Sequence, residues 1–260
     1  MADKHGDFVW YELMTPDPDA AQRFYGGLLN WEFEQTKLDG QDYRGFTAGD
    51  AKVGGFLTLT EEMAENGARA SWVGYVNVDD VPSAVAKVRD AGGHVFMEGG
   101  EVPDVGPFAL VADPQGVPFY VIDEQSGQPS GAFAKYEAKE GCCAWNELAC
   151  DDPDAADGFY RNLFGWKPGD SMEMGPLGKY QMYVQGDYAL GAMMKRPEGM
   201  PASLWAFYFR VPDIDTAQSY AETHGARVVN GPMEIPGGEY VFQALDPQGA
   251  LFSVIGRKGI

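Results

Sequence analysis

Two carboxylates stand where the sequence invites a chemical reading. Glu12 follows Trp10 in the run Trp10-Tyr11-Glu12-Leu13, and Glu147 follows Trp145 in Trp145-Asn146-Glu147-Leu148. Residues i and i+2 of an extended strand share a face, so each carboxylate would lie beside an indole on an inward surface. A carboxylate poorly paired in apolar surroundings keeps its proton above the ordinary range, the usual preparation for proton transfer. The same placement suits a structural acceptor of hydrogen bonds from strand ends or tyrosine hydroxyls, and the residues by themselves leave both roles open. Glu12 and Glu147 are the candidate catalytic residues.

Other reactive side chains are sparse. The three histidines, His5, His94 and His224, fall in the polar start of the chain or just beyond helix ends, as turn or surface residues do. The three cysteines, Cys142, Cys143 and Cys150, cluster at one strand, are odd in number and lack a CxxC spacing or basic neighbours. They read as strand residues rather than as a disulfide framework or a redox pair. Gly99-Gly100 and Gly237-Gly238 precede no helix and are expected in turns, not in phosphate loops. Met193-Met194 fall on an expected inner strand and would supply an adaptable apolar lining.

The elements that must position these residues come in duplicate. Trp10, Glu12, Leu13, Asp17-Pro18-Asp19-Ala20-Ala21, Phe24-Tyr25 and Trp31 recur at a constant offset of 135 residues, and Asp113-Pro114-Gln115-Gly116 recurs as Asp246-Pro247-Gln248-Gly249 at an offset of 133. A fixed offset over so much chain means two copies of one domain. The expected boundaries are 1–125 for the first domain, 126–141 for a Gly-, Ser-, Pro- and Lys-rich linker, and 142–260 for the second.

Each copy halves again. Phe8 to Met14 alternates as a strand. Asp17 offers an N-cap with Pro18 behind it, and Ala21, Phe24, Tyr25 and Leu28 form one helical stripe. Three further strands follow at Trp31–Glu34, Tyr43–Ala48 and Val53–Leu59. The plan restarts at Trp72, with Asp80 capping a helix and the Asp-Pro-Gln-Gly turn before the last strand. The second copy repeats it, with Asp213 as the cap of its second helix. The predicted fold class is α+β, built from βαβββ modules at 8–60, 72–124, 144–196 and 204–257.

The chain has 260 residues, 45% of them hydrophobic, with 39 acids against 19 bases and a net charge of −20. Two domains of this size can each fill a core. The acidity reads as solubility and argues against nucleic acid or anionic membranes as partners. Neither a signal peptide nor a membrane span is evident, so a cytoplasmic location is expected.

A strand followed by Asp-x-x-x-Ala-x-x-Phe-Tyr-x-x-x-Leu-x-Trp, then a second half ending in Asp-Pro-x-Gly and a strand, resembles the vicinal oxygen chelate superfamily. That group includes glyoxalase I, extradiol dioxygenases and bleomycin-resistance proteins, and the resemblance covers almost the whole chain twice. The Trp-x-Glu-Leu opening is most similar to bacterial tandem glyoxalase-like proteins. The resemblance implies that each pair of modules curls into a half-open eight-stranded barrel with a concave inner face.

Enzymes of that superfamily hold a divalent metal with His, Gln or Glu on inward strand positions. Carried over, those positions fall on Trp10 and Trp145, on Val73 and Ala206, on Tyr120 and Ser253, and near Gly54-Gly55-Phe56 and Leu190-Gly191-Ala192. Tryptophan, valine and alanine offer no lone pair to such a cation, and a facial triad of two His and a carboxylate cannot be assembled. No metal and no other cofactor is expected. Tyr75 and Asn77 would share a face with Val73, and Tyr208 and Arg210 with Ala206, so that Glu12 would meet neutral Asn77 while Glu147 could meet Arg210.

The expected ligand-binding residues are therefore Trp10, Tyr75, Asn77, Tyr120, Trp145, Tyr208, Arg210 and Ser253. The expected ligand is a small hydrophobic or aromatic molecule stacked in a metal-free cup, with Glu12 or Glu147 orienting a polar group or moving a proton. Two other readings stay open: a metal-dependent lyase or dioxygenase, as the superfamily implies, and a pseudo-dimeric interaction module. The chain is expected as a monomer, with its two copies as an intramolecular pseudo-dimer, or as a homodimer.

Overall fold

The computed structural model describes residues 3–38 and 41–259. The first module runs β1 (Phe8–Thr15), α1 (Pro18–Leu29), β2 (Glu32–Leu38), β3 (Gln41–Ala48) and β4 (Ala51–Thr58), followed by a short helix α2 (Glu61–Glu65). The second runs β5 (Ser71–Asn77), α3 (Val81–Asp90), β6 (His94–Val102), β7 (Gly106–Ala112) and β8 (Pro118–Ile122). The third runs β9 (Cys143–Cys150), α4 (Pro153–Phe164), β10 (Lys167–Glu173), β11 (Lys179–Gln185) and β12 (Tyr188–Lys195). The fourth runs β13 (Leu204–Asp213), α5 (Ile214–Thr223), β14 (Arg227–Glu234), β15 (Tyr240–Leu245) and β16 (Leu251–Arg257).

The strands form two eight-stranded mixed sheets, ordered β2-β3-β4-β1-β5-β8-β7-β6 and β10-β11-β12-β9-β13-β16-β15-β14. Neither sheet closes on itself. Within each module the first strand lies parallel to the last, which sets Glu12 opposite Gly55, Tyr75 opposite Tyr120, Glu147 opposite Ala192 and Tyr208 opposite Ser253. The four βαβββ modules and the α+β class expected from the sequence are the ones formed. Among the described residues no helix is long and apolar enough to cross a membrane.

Local chemistry explains the helices. Asp17, Asp80, Asp152 and Asp213 each accept a hydrogen bond from the amide three residues on, at 2.8–3.0 Å, satisfying a donor the first turn leaves open. Ala21, Phe24, Tyr25 and Leu28 are buried on one side of α1, and Ala156, Phe159, Tyr160 and Leu163 on one side of α4. Two local expectations need correction. Gly99-Gly100 lie inside β6, where the pairing with β7 shifts register, rather than in a turn. Helix α2 was not foreseen. It is one short turn capped by the Thr60 hydroxyl and buries no residue, so it leaves no periodic signal.

The chain divides into two compact units that cut across the sequence copies. One comprises Met1–Val9, Val73–Ser130 and Trp145–Trp205; the other comprises Trp10–Trp72, Gly131–Ala144 and Ala206–Ile260. In the second of these, Trp31 stacks on Phe46 with centroids 4.0 Å apart, and Trp72 meets Phe209 at 5.1 Å. In the first, Tyr160 stacks on Trp166 at 5.7 Å and meets Phe119 at 5.5 Å. Each such pair adds about 0.5–1.5 kcal/mol to the burial of its rings. The segment expected as a linker takes part in this packing. Ala132 and Phe133 are buried, and the Cys143 amide donates to the Ala132 carbonyl.

A polar relay runs through each core. Trp72 Nε1 donates to Tyr25 Oη at 3.2 Å, Tyr25 Oη donates to Asp246 Oδ2 at 2.9 Å, and Asp246 Oδ1 accepts from the Gln248 and Ala250 amides, each at 2.9 Å. In the other unit Trp205 donates to Tyr160 at 3.1 Å, Tyr160 donates to Asp113 at 3.2 Å, and Asp113 accepts from the Gln115 and Val117 amides at 2.9 Å. The tyrosine and tryptophan come from a different sequence copy than the aspartate. Burial raises the pKa of both aspartates, against the pull of these donors, and raises that of both tyrosines, which therefore remain donors.

Two outcomes follow from the relays. Tyr25→Phe strands a buried indole N–H and a carboxylate oxygen, and should lower stability by about 3 kcal/mol in urea unfolding followed by far-UV circular dichroism. A raised folded-state carboxyl pKa favours the fold most below the unfolded value of 3.8 and loses that contribution as pH rises through the folded value. The stability advantage of wild type over the non-titrating Asp246→Asn variant should therefore shrink as pH rises above about 4. An advantage that grows over that range would contradict the assigned direction.

Candidate functional site

Both first-strand tryptophans are held by a tyrosine. In the third module Trp145 Nε1 donates to Tyr180 Oη at 2.8 Å, and Tyr180 Oη donates to Glu147 Oε2 at 2.7 Å. Strand β9 sets Trp145 and Glu147 two residues apart on one face, and β11 brings Tyr180 across to both. Burial raises the Tyr180 pKa strongly and the neighbouring Glu147 charge adds to it, while the Trp145 hydrogen bond opposes. The phenol thus stays protonated and works as a donor.

In the first module Trp10 Nε1 donates to Tyr43 Oη at 2.8 Å, and Glu12 on the same strand face is 1% exposed. The Tyr43 ring lies directly over Gly55 of β4, where an added Cβ would stand 2.2 Å from its Cζ and Oη atoms. Only glycine at position 55 leaves room for that phenol. Tyr43 and Tyr180 were absent from the expected site. Their recurrence at an offset of 137, on the inward side of equivalent strands, is the signal that finds them.

The remaining expected residues fall into two groups of different character. In the second module Tyr75 and Tyr120 stack with centroids 4.0 Å apart and planes 12° apart, and Phe108 packs on both. Buried Asn77 accepts the Glu124 amide at 3.0 Å through Oδ1, which caps the chain leaving β8. In the fourth module Gln243 Nε2 donates to Tyr208 Oη at 3.1 Å and to Ser253 Oγ at 3.3 Å. Arg210 forms a two-point ion pair with Glu239, with Nη2 donating to Oε2 at 3.2 Å and Nη1 to Oε1. The sequence named Glu147 as its partner. Glu239 went unnamed because it sits at the end of a hairpin turn, where composition reads as surface.

These residues do not fit the divalent ion that the resemblance implies. Trp10 and Trp145 present N–H donors already given to tyrosines, Val73 and Ala206 are aliphatic, Tyr120 is stacked and Ser253 is bound by Gln243. Among the described residues no three of His, Cys, Asp or Glu gather as a ligand set. His5 is partly buried and structural. Its Nδ1 accepts the Asp79 amide at 3.2 Å, which leaves Nε2 to donate to the Leu163 carbonyl at 2.9 Å. His94 opens β6 and His224 stacks on Tyr220, both exposed. A shallow depression along α5, lined by Asp215, Thr216, Ser219, Tyr220, Thr223 and His224, contains none of the expected site residues.

Comparisons with known proteins agree with this frame. Residues 143–254 match the family described as Glyoxalase/Bleomycin resistance protein/Dioxygenase superfamily, and residues 10–122 match a glyoxalase-like domain. The chain is 32% identical over 254 residues to CFP32 of Mycobacterium tuberculosis, provisionally named a glyoxylase, covering 97% of this chain and 95% of that one. It is 29% identical over 260 residues to the anthracycline biosynthesis protein DauV of Streptomyces sp. strain C5, covering 95% and 92%. Among solved structures, the Mn(II)-bound glyoxalase of Novosphingobium aromaticivorans aligns at TM-score 0.60 and 19% identity, covering 98% of this chain and 82% of that one. The 2,3-dioxygenase LapB of Pseudomonas sp. KL28 aligns at 0.64 and 13%, covering 98% and 92%. At such identities these two show the fold alone.

The cysteines are buried, and burial pushes the Cys142 thiol up to about 11 and the Cys150 thiol up to about 12. Thiolate is then scarce at neutral pH. In a thiol assay with 5,5′-dithiobis(2-nitrobenzoate) near pH 8, native protein should react far more slowly than protein in 6 M guanidinium. A rapidly titrating native thiol would contradict the burial assigned here.

Proposed function

Because the chain belongs to the Glyoxalase/Bleomycin resistance protein/Dioxygenase superfamily yet carries Trp10, Trp145, Val73, Ala206, Tyr120 and Ser253 at the positions where the resemblance places metal ligands, we propose that it binds a planar aromatic small molecule without a metal. The observation that carries this reading is the Trp145–Tyr180–Glu147 chain with its first-copy counterpart Trp10–Tyr43. Each presents an aromatic face with a polar edge, the combination that recognises flat rings bearing hydroxyl or keto groups. The Tyr75–Tyr120 stack adds apolar area of the same kind.

Similarity to an anthracycline biosynthesis protein supports a polycyclic aromatic ligand, since anthracyclines are fused-ring quinones. Tyr180 orients Glu147 through a 2.7 Å hydrogen bond, and Glu147 then serves either to fix a ligand hydroxyl or to accept its proton. The competing reading is a metal-dependent lyase, favoured by the name of the mycobacterial relative and opposed by the donor set described above.

Four of the six tryptophans are buried in the cores, and only Trp10 and Trp145 are partly accessible, so ligand quenching of tryptophan fluorescence should come from these two. Titration with 1,4-dihydroxyanthraquinone should quench wild type, with Trp145→Phe losing much of the amplitude. Tyr180→Phe, by removing the 2.7 Å hydrogen bond that orients Glu147, should weaken binding by about tenfold. Glu147→Gln should keep the affinity, and if the protein is an enzyme should remove turnover. Elemental analysis of protein dialysed against chelator should find no stoichiometric divalent ion. An ion retained by either copy, with activity that depends on it, would sink the proposal.

A further inference from the structure

The second and fourth modules are the same structure with different inward chemistry. At a constant offset of 133 residues, Arg210, Glu239, Gln243 and Ser253 replace Asn77, Gly106, Leu110 and Tyr120, while Tyr208 keeps the place of Tyr75. Strand alternation sends Phe207 and Phe209 to the packed face, against Tyr11, and leaves Tyr208 and Arg210 on the other. An aromatic, neutral surface in one copy has become a polar surface with a guanidinium in the other.

That guanidinium is costly where it stands. The Arg210 side chain is 15% exposed and that of Glu239 is 26% exposed, and a buried pair of this kind is no more stabilising than apolar residues of similar size. The other copy fills the same two positions without any charge, with Asn77 and Gly106. The pairing also leaves part of the guanidinium unused, since Arg210 Nε is buried with no hydrogen-bond partner among the described residues. Glu239 engages the two terminal nitrogens from the end of the turn Ile235–Glu239, which its own backbone bond to Ile235 closes at 2.9 Å. Rotation of the Glu239 side chain would release the guanidinium with that bond intact.

We infer that Arg210 is an anion-recognition residue masked by Glu239, so that the second copy selects aromatic ligands bearing a carboxylate or a similar planar anion. The incoming anion replaces the Glu239 carboxylate and takes the Nε–Nη edge of the guanidinium as a two-point partner, while Tyr208 flanks the ring system. The inference rests on the aromatic-binding reading above and adds its charge selectivity.

Isothermal titration of the full chain with 2-naphthoate and its neutral isostere 2-naphthamide tests the assignment, with circular dichroism confirming the fold of each variant. Wild type should prefer naphthoate. Glu239→Gln should tighten naphthoate by about tenfold and leave naphthamide unchanged, and Arg210→Met should abolish the preference while retaining naphthamide. Binding of both probes with no preference, or a preference that survives Arg210→Met, overturns the anion site and leaves the aromatic-binding reading standing. If neither probe binds any of the three proteins, both readings fall. Because Glu239→Gln predicts a gain, a misfolded Arg210 variant cannot mimic the expected result.

Discussion

One hydrogen-bonded unit organises each core: a tyrosine hydroxyl that accepts an indole N–H and donates its own O–H to the aspartate of an Asp-Pro-Gln-Gly turn. Tyr25, Tyr160, Asp113 and Asp246 are almost wholly inaccessible to solvent. In such surroundings a polar atom without its partner costs more than the bond itself contributes, so each relay must be complete or absent. Completeness demands that helix, fifth-strand tryptophan and turn carboxylate arrive together, although Tyr25 and Asp246 are 221 residues apart in sequence. That requirement explains why Phe-Tyr, the later tryptophan and Asp-Pro-Gln-Gly recur in both copies with so little drift.

The inward faces are under a different constraint. They carry indoles, phenols and aliphatic groups beside the two carboxylates, Glu12 and Glu147. Short polar chains stand on these faces: Trp145 Nε1 donates to Tyr180 and Tyr180 to Glu147, and Trp10 Nε1 donates to Tyr43. Gly55 gives up its side chain to seat Tyr43. The Trp10–Tyr43 contact therefore depends on β1, β3 and β4 together.

The second halves of the two copies differ in the chemistry of one face. Tyr75 and Tyr120 close on each other as an apolar stack, whereas Tyr208, Gln243 and Ser253 form a hydrogen-bonded cluster next to the Arg210–Glu239 pair. Duplication lets one copy keep a neutral surface while the other carries charge, on identical strand geometry.

Much of the fold was legible in the residues because its rules are local. The caps at Asp17, Asp80 and Asp213, the Ala21–Phe24–Tyr25–Leu28 stripe and the strand alternation that pairs Trp10 with Glu12 follow from periods of 3.6 and 2.0 residues. The repeat fixed two copies and four modules without any coordinates. What local periodicity cannot carry is the identity of a partner across strands. Tyr43 and Tyr180 read as strand residues outside the site, Glu239 as a turn residue, and Asp113 and Asp246 as turn formers alone, since each acquires its second role only when register and packing deliver a group from 29 or more residues away. The compact units were likewise hidden, because the sequence repeats by copy while the cores are filled by modules of different copies. By itself the sequence determined the elements, their duplication and the inventory of side chains on each face. Only the tertiary structure decided which of those side chains satisfy one another, because hydrogen bonds and ion pairs are chosen by distance in space and burial, and neither is written in the order of the chain.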